Sequence, residues 1–376
     1  MKKIALIGST GSIGTQVLNV VRRNPEKFSV VSMSAHKNAR NFLNQITEFK
    51  PAVCALDYAP DGFIVPYKSE FFTGKDAYLN AVISDADIVV VAVVGYAGLK
   101  AVLKAIELKK DVALANKESL VVGGELVTSL AKKAGVNIYP IDSEHSAIWQ
   151  ALNFDYNKPF KRLILTASGG AFRDFSVGEI ESATAKQALK HPNWNMGNKI
   201  TIDCATLVNK AFEVIEARWL YDVDYSKIDA IIHRESIIHS MVEFDDNSVM
   251  AQMSYPTMEI PIALALDKSL RLSSNVPSLD FAKLSSLHFE EIDKNKFPCF
   301  DAVVTAGKKG GLYPAVVNAV NEVAVDAFLK GKIVYKDFYS LIDGALNAYT
   351  NRVDYSLSAI EEADAWARNF AQSKID

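Results

Sequence analysis

The sequence predicts an α/β protein with an open parallel sheet at its N-terminal side, a mixed sheet in the middle and a helical C-terminal region. Three observations carry that expectation. Strand-like and helix-like runs alternate from Lys3 to about Lys133, as they do in a parallel sheet with right-handed crossovers. Between Lys161 and Met253, apolar runs meet at a hairpin turn, Asp245-Asp246-Asn247, which suits a second, mixed sheet. From Phe300 onwards, apolar residues recur at i, i+3 and i+4, and Gly310-Gly311 and Gly331 punctuate them, so this part reads as helices alone.

In chain order, Lys3–Ile7 is an aliphatic strand, Gly8-Ser-Thr-Gly11-Ser-Ile-Gly14 a glycine turn, and Ser12–Arg23 an amphipathic helix with Val17, Val20 and Val21 on one face. Such glycines let backbone amides approach a pyrophosphate at the helix N-terminus, where unpaired N–H groups and the dipole favour an anion. The spacing is G-x-x-G-x-x-G rather than G-x-G-x-x-G, so the turn alone would also suit another α/β fold. The segments beyond the turn favour a Rossmann-like domain: strand Phe28–Met33, helix Ala39–Phe49, strand Asp87–Val94, helix Leu99–Lys109, strand Asp111–Ala115 and a helix to about Lys133. The second strand ends in Ser34-Ala-His36-Lys37-Asn38-Ala-Arg40, where an NAD site would place an acid for the ribose diol. Cations and an amide suit a 2′-phosphate, so the reading is NADP, with Lys37 and Asn38 as contacts and His36 or Arg40 assisting. A solvated basic helix start is the other reading.

The stretch Ile138-Tyr-Pro-Ile-Asp142-Ser-Glu144-His145 ends an apolar strand with two carboxylates one residue apart. At i and i+2 of an extended segment they point to one side, where a hard divalent cation would take them. Equally, they could charge the first turn of a helix, Glu144–Leu152. Here a cofactor domain is expected to hand over to a substrate domain.

Beyond it, a strand Lys161–Thr166 runs into Ala167-Ser168-Gly169-Gly170, followed by a polar helical stretch to Lys190. His191-Pro-Asn-Trp194-Asn-Met196-Gly197 reads either as a mobile loop with an aromatic cover or as a packed surface turn. A strand Lys199–Ile202 is expected next, then Asp203-Cys204-Ala205-Thr206 and a helix with Asn209, Lys210, Glu213 and Glu216. Asn209 and Glu213 share one face and could set a cation-binding carboxylate beside phosphate-binding groups; a plain surface pair of Lys210 with Glu213 is the competing reading. Strands Asp229–Ile232, Ile237–Phe244 and Ser248–Met253 carry His233 and His239. A helix from Met258 to Asp267, a connector from Lys268, and helices Phe300–Lys308, Tyr313–Leu329, Tyr335–Tyr349 and Leu357–Gln372 complete the chain, with Asn318 and Asn321-Glu322 expected on polar faces. The resulting domains are 1–142, 143–267, a connector 268–293, and 294–376.

Composition narrows the class. Of 376 residues 49% are hydrophobic and 23% charged, enough for two or three domains, and a net charge of -3 argues against nucleic acid or an anionic membrane as the main partner. Cys54, Cys204 and Cys299 are odd in number and far apart, as expected of reduced thiols in a cytoplasmic protein. The apolar run after Met1-Lys-Lys stops at Gly8 without a cleavage pattern, and no stretch is long and apolar enough for a membrane span.

Five motifs in fixed order, Ala115-Asn-Lys117-Glu-Ser119, Asp142-Ser-Glu144-His145, Ala167-Ser168-Gly-Gly170, His191-Pro-Asn-Trp194-Asn-Met196-Gly197 and Asn209-Lys210 with Glu213, resemble the 1-deoxy-D-xylulose 5-phosphate reductoisomerase family, and with the glycine turn the resemblance spans the chain. It implies an N-terminal Rossmann-like NADP domain, a central α+β catalytic domain and a C-terminal helical domain. It implies Asp142, Glu144 and Glu213 as ligands of Mg²⁺, Mn²⁺ or Co²⁺, and Lys117 between cofactor and substrate. NADPH would be bound by Gly8, Thr10, Gly11, Ser12, Ile13, Lys37, Asn38, Asn116, Lys117, Glu118 and Gly197. The substrate would meet Ser143, Glu144, Ser168, His191, Trp194, Cys204, Asn209, Lys210 and Glu213, its phosphate lying on Ser168, Asn209 and Lys210. Lys117, Glu144, His145, His191 and His239 would serve the chemistry, and Trp194 and Met196 a closing lid.

Two positions depart from the family pattern: Cys204 stands where a serine is expected, and a thiol is the weaker donor to phosphate; Ala171 replaces a frequent proline. The reaction implied is rearrangement of the ketose phosphate to a branched aldehyde and its reduction by NADPH, in a homodimer. An NADP-dependent semialdehyde or homoserine dehydrogenase, which should show a nucleophilic Cys with a His base, is the second enzyme reading. An NADP-sensing regulator is the third, and it would need no converging carboxylates.

Overall fold

Lys2–Ile7 (β1) starts a parallel sheet of seven strands, with Phe28–Ala35 (β2), Val53–Leu56 (β3), Glu70–Thr73 (β4), Ile88–Val91 (β5), Asp111–Leu114 (β6) and Ile138–Pro140 (β7). The computed structural model describes residues 1–194, 196–268, 271–272, 274–352 and 355–375. Strand order is β4-β3-β2-β1-β5-β6-β7, every pair parallel. The order reverses between β1 and β5, and the crevice beyond the carboxyl ends of those strands is where such sheets take ligands. Ile4–Ile7 and Ile88–Val91 are fully buried, which explains why both strands read as continuous apolar runs rather than alternations. The sequence reading missed β3 and β4. Neither short segment carries a long apolar run or a clear alternation, and they are strands because β2 supplies the hydrogen bonds of β3, and β3 those of β4.

The chain forms two compact units. The first comprises residues 1–119, 127–146 and 257–276. The helix Glu259–Leu266, grouped by sequence with the central domain, packs in this unit: Ile262 and Leu266 join the core of Leu6, Val17, Val21, Met33 and Ile88. Lys2 Nζ donates to the Leu266 carbonyl at 2.7 Å, and Arg23 pairs with Glu259 at 2.8 Å.

The second unit, residues 120–126, 147–256 and 277–376, holds a five-stranded mixed sheet. Its strands are Arg162–Ala167 (β8), Ile228–His233 (β9), Ile238–Glu243 (β10), Val249–Met253 (β11) and Phe289–Glu291 (β12), in the order β11-β10-β8-β9-β12. Strands β8 and β9 run parallel and the remaining pairs antiparallel. Strand β12 falls in the expected connector, whose residues 269, 270 and 273 lie outside the described residues, as does Asn195 of the expected lid. Segment 120–126 belongs here because Gly124 sits against the Trp219 indole, leaving no room for a Cβ, and Tyr355 donates to the Val122 carbonyl at 3.1 Å.

The expected strand Lys199–Ile202 is instead part of a helix, Asn198–Ala205. Lys-Ile-Thr-Ile alternates like a strand, but Thr201, Ile202 and Ala205 are buried on a helical face, and Lys199 pairs with Asp203 four residues on at 2.9 Å, so tertiary packing overrides β-branched propensity. The tail is helical as expected, the helix Tyr313–Leu329 packing along Leu357–Ile375. Asn318 and Asn321 are not on a polar face: both are fully buried, and Asn321 Nδ2 donates to Asp203 Oδ1 at 2.7 Å.

Candidate active site

In the first unit, the glycine turn lies at the switch point between β1 and β5. Gly8 has φ +94°, and a Cβ there would stand 2.7 Å from the Ala92 carbonyl oxygen, so only glycine lets the two strand ends come this close. Gly11 caps the helix Ser12–Arg23 and, having no side chain, offers the first amides of that helix no cap of its own. A dinucleotide pyrophosphate fits this cradle. Lys37 and Asn38 are both exposed at the end of β2. Asn38 accepts from the Asn41 amide through Oδ1 at 3.3 Å, which caps the helix Ala39–Phe49. His36 is exposed, bonds Asp57 at 3.1 Å and packs edge-on against Tyr58. The sequence reading overlooked Asp57, the residue directly after the four-residue β3.

Asn116, Lys117 and Glu118 follow β6. The Asn116 amide is consumed structurally: its Nδ2 donates to the carbonyls of Val93 and Gly95 at 3.0 and 2.9 Å and to Glu118 at 3.0 Å, while its Oδ1 receives the Ser119 amide at 2.9 Å. That network fixes the turn from which Lys117 projects. Lys117 Nζ lies 2.8 Å from Asp142 Oδ2, at the end of β7. Asp142 also accepts from the Glu144 amide at 3.2 Å, so it caps the helix Ser143–Ala151, and it bonds His145 Nδ1 at 3.1 Å. Asp142 is therefore a helix cap that is also a partnered carboxylate. Burial pushes Asp142 up, but the Lys117 ammonium and His145 outweigh it and hold the carboxyl well below its usual range, so it stays anionic. A permanently anionic oxygen donor beside Glu144, which receives the Ser143 hydroxyl at 2.7 Å, suits a hard divalent cation. His145 is wholly buried, in the position of a group that orients Asp142.

In the second unit, Ser168 follows β8. Its Oγ lies 2.9 Å from His191 Nε2 and accepts from the Gly170 amide at 3.2 Å. His191 Nδ1 accepts from the amides of Asn193 and Trp194 at 3.2 and 2.9 Å, so that nitrogen carries no proton and Nε2 is the donor to Ser168. Burial and the Arg173 cation lower His191 to about 4. Trp194 packs edge-on against His239, ring centroids 6.2 Å apart. His239 is buried on β10, bonds Ser254 Oγ at 3.0 Å and is likewise lowered to about 4, chiefly by burial. At neutral pH both imidazoles are uncharged and act as hydrogen-bonding groups. His233 accepts from the Ile237 amide and meets the His288 carbonyl at 2.9 Å, a structural role.

The helix Val208–Leu220 is buried along Val208–Ala217, so Lys210 and Glu213 are no surface pair. Glu213 is held by Lys210 and by Asn209 Nδ2. Leu207 at φ +58° turns the chain sharply from the helix Asn198–Ala205, which carries Cys204 and is capped by Gly197, into this one. Gly170, at φ +66°, touches the Cys204 backbone. The sequence reading overlooked Arg173, whose guanidinium meets the Ser168 carbonyl; its only local signal is an arginine five residues after that serine.

Residues 4–124 match the family model for 1-deoxy-D-xylulose 5-phosphate reductoisomerase, 138–221 the model for its C-terminal domain, and 253–370 the DXP reductoisomerase C-terminal domain. The 1-deoxy-D-xylulose 5-phosphate reductoisomerase 1 of Bacillus cereus is 47% identical over 380 residues, spanning 100% of this chain and 99% of its own length. That of Bacillus anthracis is 47% identical over 382 residues, with the same coverage. Among solved structures, the Zymomonas mobilis enzyme in complex with NADPH matches with TM-score 0.92 and 36% identity, covering 100% of this chain and 99% of that one. A DOX-P reductoisomerase in complex with NADPH, fosmidomycin and magnesium matches with TM-score 0.94 and 37% identity, covering 100% and 98%.

Proposed function

The chain belongs to the 1-deoxy-D-xylulose 5-phosphate reductoisomerase family, and from that membership we infer an NADPH- and divalent-metal-dependent enzyme that converts 1-deoxy-D-xylulose 5-phosphate to 2-C-methyl-D-erythritol 4-phosphate in non-mevalonate isoprenoid precursor synthesis. The observation that carries this reading at the site is the Lys117–Asp142 pair, 2.8 Å apart at the carboxyl ends of β6 and β7, with Asp142 held anionic. The dehydrogenase and regulator readings give way to family membership.

We propose Asp142, Glu144 and Glu213 as the cation's ligands; when bound, the cation supplies Lewis-acid polarisation of neighbouring substrate oxygens, and NADPH supplies the hydride. Lys117 is a fixed ammonium that stabilises negative charge developing on substrate oxygen more than it stabilises the ground state. Asn116 and Glu118 hold the turn that aims it. Ser168, Asn209 and Lys210 bind the phosphate, far from the reacting carbons, and that remote binding helps orient the ketose. His191, with Nδ1 occupied, donates from Nε2 to Ser168 Oγ; the Gly170 amide occupies the same oxygen, so the serine proton is directed outward to a phosphate oxygen. Trp194 and Met196 cover the substrate and exclude water. Gly8, Thr10, Gly11, Ser12, Ile13 and Gly197 line the cofactor, with Lys37 and Asn38 on its 2′-phosphate. The protein acts as a cytoplasmic homodimer; among the described residues no helix is long and apolar enough to cross a membrane.

The test is NADPH oxidation on adding 1-deoxy-D-xylulose 5-phosphate. Oxidation that needs the ketose phosphate, stops with EDTA and returns with Mg²⁺ or Mn²⁺ is the expected result; full activity after chelation would overturn the metal dependence.

A further inference from the structure

Arg173 lies outside the residues assigned above, yet three segments of the second unit converge on it. Its Nη1 donates to the Arg234 carbonyl at 2.9 Å, to the Ser168 carbonyl at 3.2 Å and towards Asn193 Oδ1 at 3.4 Å. Asn193 Nδ2 donates to the same Arg234 carbonyl at 2.9 Å, closing the ring. These segments are the turn after β8, the segment beginning at His191, and the turn between β9 and β10.

The guanidinium is itself braced from several sides. Its Nε lies 3.4 Å from Asp174, whose other oxygen pairs with the Arg234 side chain; Arg234 pairs in turn with Glu290, and Lys296 donates to the Arg173 carbonyl at 2.5 Å. The guanidinium thus divides its contacts between main-chain oxygens and one ion pair, to Asp174. The rigid guanidinium plane, fixed through Nε at Asp174, sets the direction of the Nη1 hydrogens that meet the three segments, whereas an ammonium on a flexible stem leaves its direction free.

We propose that Arg173 is a positioning residue for the phosphate end of the substrate, setting the direction in which Ser168 donates. The inference rests on the phosphate role proposed above for Ser168. The chain of action is short. Arg173 fixes the Ser168 backbone and Asn193; the Asn193 and Trp194 amides keep His191 Nδ1 an acceptor; His191 Nε2 then occupies Ser168 Oγ and leaves its proton for phosphate. Burial chiefly, and the Arg173 cation with it, disfavours a charged His191, which would donate from both nitrogens and release the two amides.

The experiment uses the full chain with NADPH and Mg²⁺ and compares wild type, Arg173→Met, Ser168→Ala and the double variant. In Arg173→Met, KM for 1-deoxy-D-xylulose 5-phosphate is expected to rise about tenfold, as loss of one charge-assisted contact would give. The inhibition constant for inorganic phosphate should rise by the same factor, while kcat and the NADPH dissociation constant stay within about twofold, inside the scatter of such differences. In the Ser168→Ala background the same replacement should change KM little, since the two act through one contact. Arg173→Lys, which keeps the charge and loses the fork, guards against a folding defect: correctly folded by thermal melt, it should show the same KM effect in reduced size. A KM rise without a change in phosphate inhibition, additive effects of the two replacements, or wild-type constants in both Arg173 variants would each overturn the role. Wild-type protein that leaves NADPH unoxidised would sink the family reading and this inference together.

Discussion

Lys117 and Asp142 pair at 2.8 Å; in the proposed site, a cation arriving at the Asp142 carboxylate would take over part of that partnership and turn the ammonium towards substrate. Glu213 is in a similar position, held by Lys210 and Asn209 on its own helix. Glu213→Gln keeps the shape and one of the two accepted hydrogen bonds but removes the charge a divalent cation requires. Turnover is expected to vanish while NADPH affinity, followed by fluorescence titration, is preserved; turnover at the wild-type rate would remove Glu213 from the proposed ligand set. Cys204 is one of the two positions, with Ala171, at which the sequence is expected to depart from the family pattern. A hydroxyl is a better donor than a thiol, so Cys204→Ser should lower KM for the ketose phosphate, by up to roughly tenfold if one new charge-assisted bond forms. An unchanged KM would mean that the phosphate leans on Ser168, Asn209 and Lys210 alone.

At the scale of elements, the turn after β8 is set by backbone geometry. Gly170 sits at φ +66°, and a Cβ would lie 2.3 Å from the Cys204 carbonyl oxygen. Gly170→Ala should therefore destabilise the protein by about 1–3 kcal/mol and displace Ser168, seen as a lower thermal midpoint together with a raised KM; an unshifted midpoint would contradict the close approach. Strand β10 carries a different liability. His239 is buried there, and burial lowers it to about 4 from 6.5. An unfolded chain's histidine binds its proton near the upper value, so between the two values the unfolded state holds more protons than the native one. Stability is therefore full above about pH 6.5 and declines as the pH falls towards 4. Thermal midpoints across that window should fall with pH, and His239→Gln should flatten part of the slope; a slope unaltered in that variant would assign it to other groups.

On the scale of the whole molecule, the proposed homodimer would be built on an exposed sheet edge. The mixed sheet ends at β11, where Val249 and Met250 stand 48% and 54% exposed. An edge strand with exposed apolar side chains seeks a partner, and a second copy is the one proposed here. Sedimentation equilibrium should give twice the chain mass, and replacing both residues with lysine should shift it towards monomer. A monomeric wild type would refute the homodimer.

Periodicity and contiguous motifs made the parallel sheet, the hairpin and the four tail helices legible, because each is written within a window of residues that are neighbours in the chain. The glycine turn and the motifs holding Lys117, Asp142 with Glu144, and Asn209 with Glu213 are likewise contiguous, which is why the proposed site could be drawn from them. Tertiary structure alone decided the rest. It made Lys199–Ile202 helical, gave β3 and β4 their partners, buried Lys210 with Glu213, and gathered Ser168, Arg173, Asn193 and Arg234 around one guanidinium. Burial and hydrogen-bond partnership are set by segments tens of residues away, and no local pattern of side chains encodes which segment will arrive.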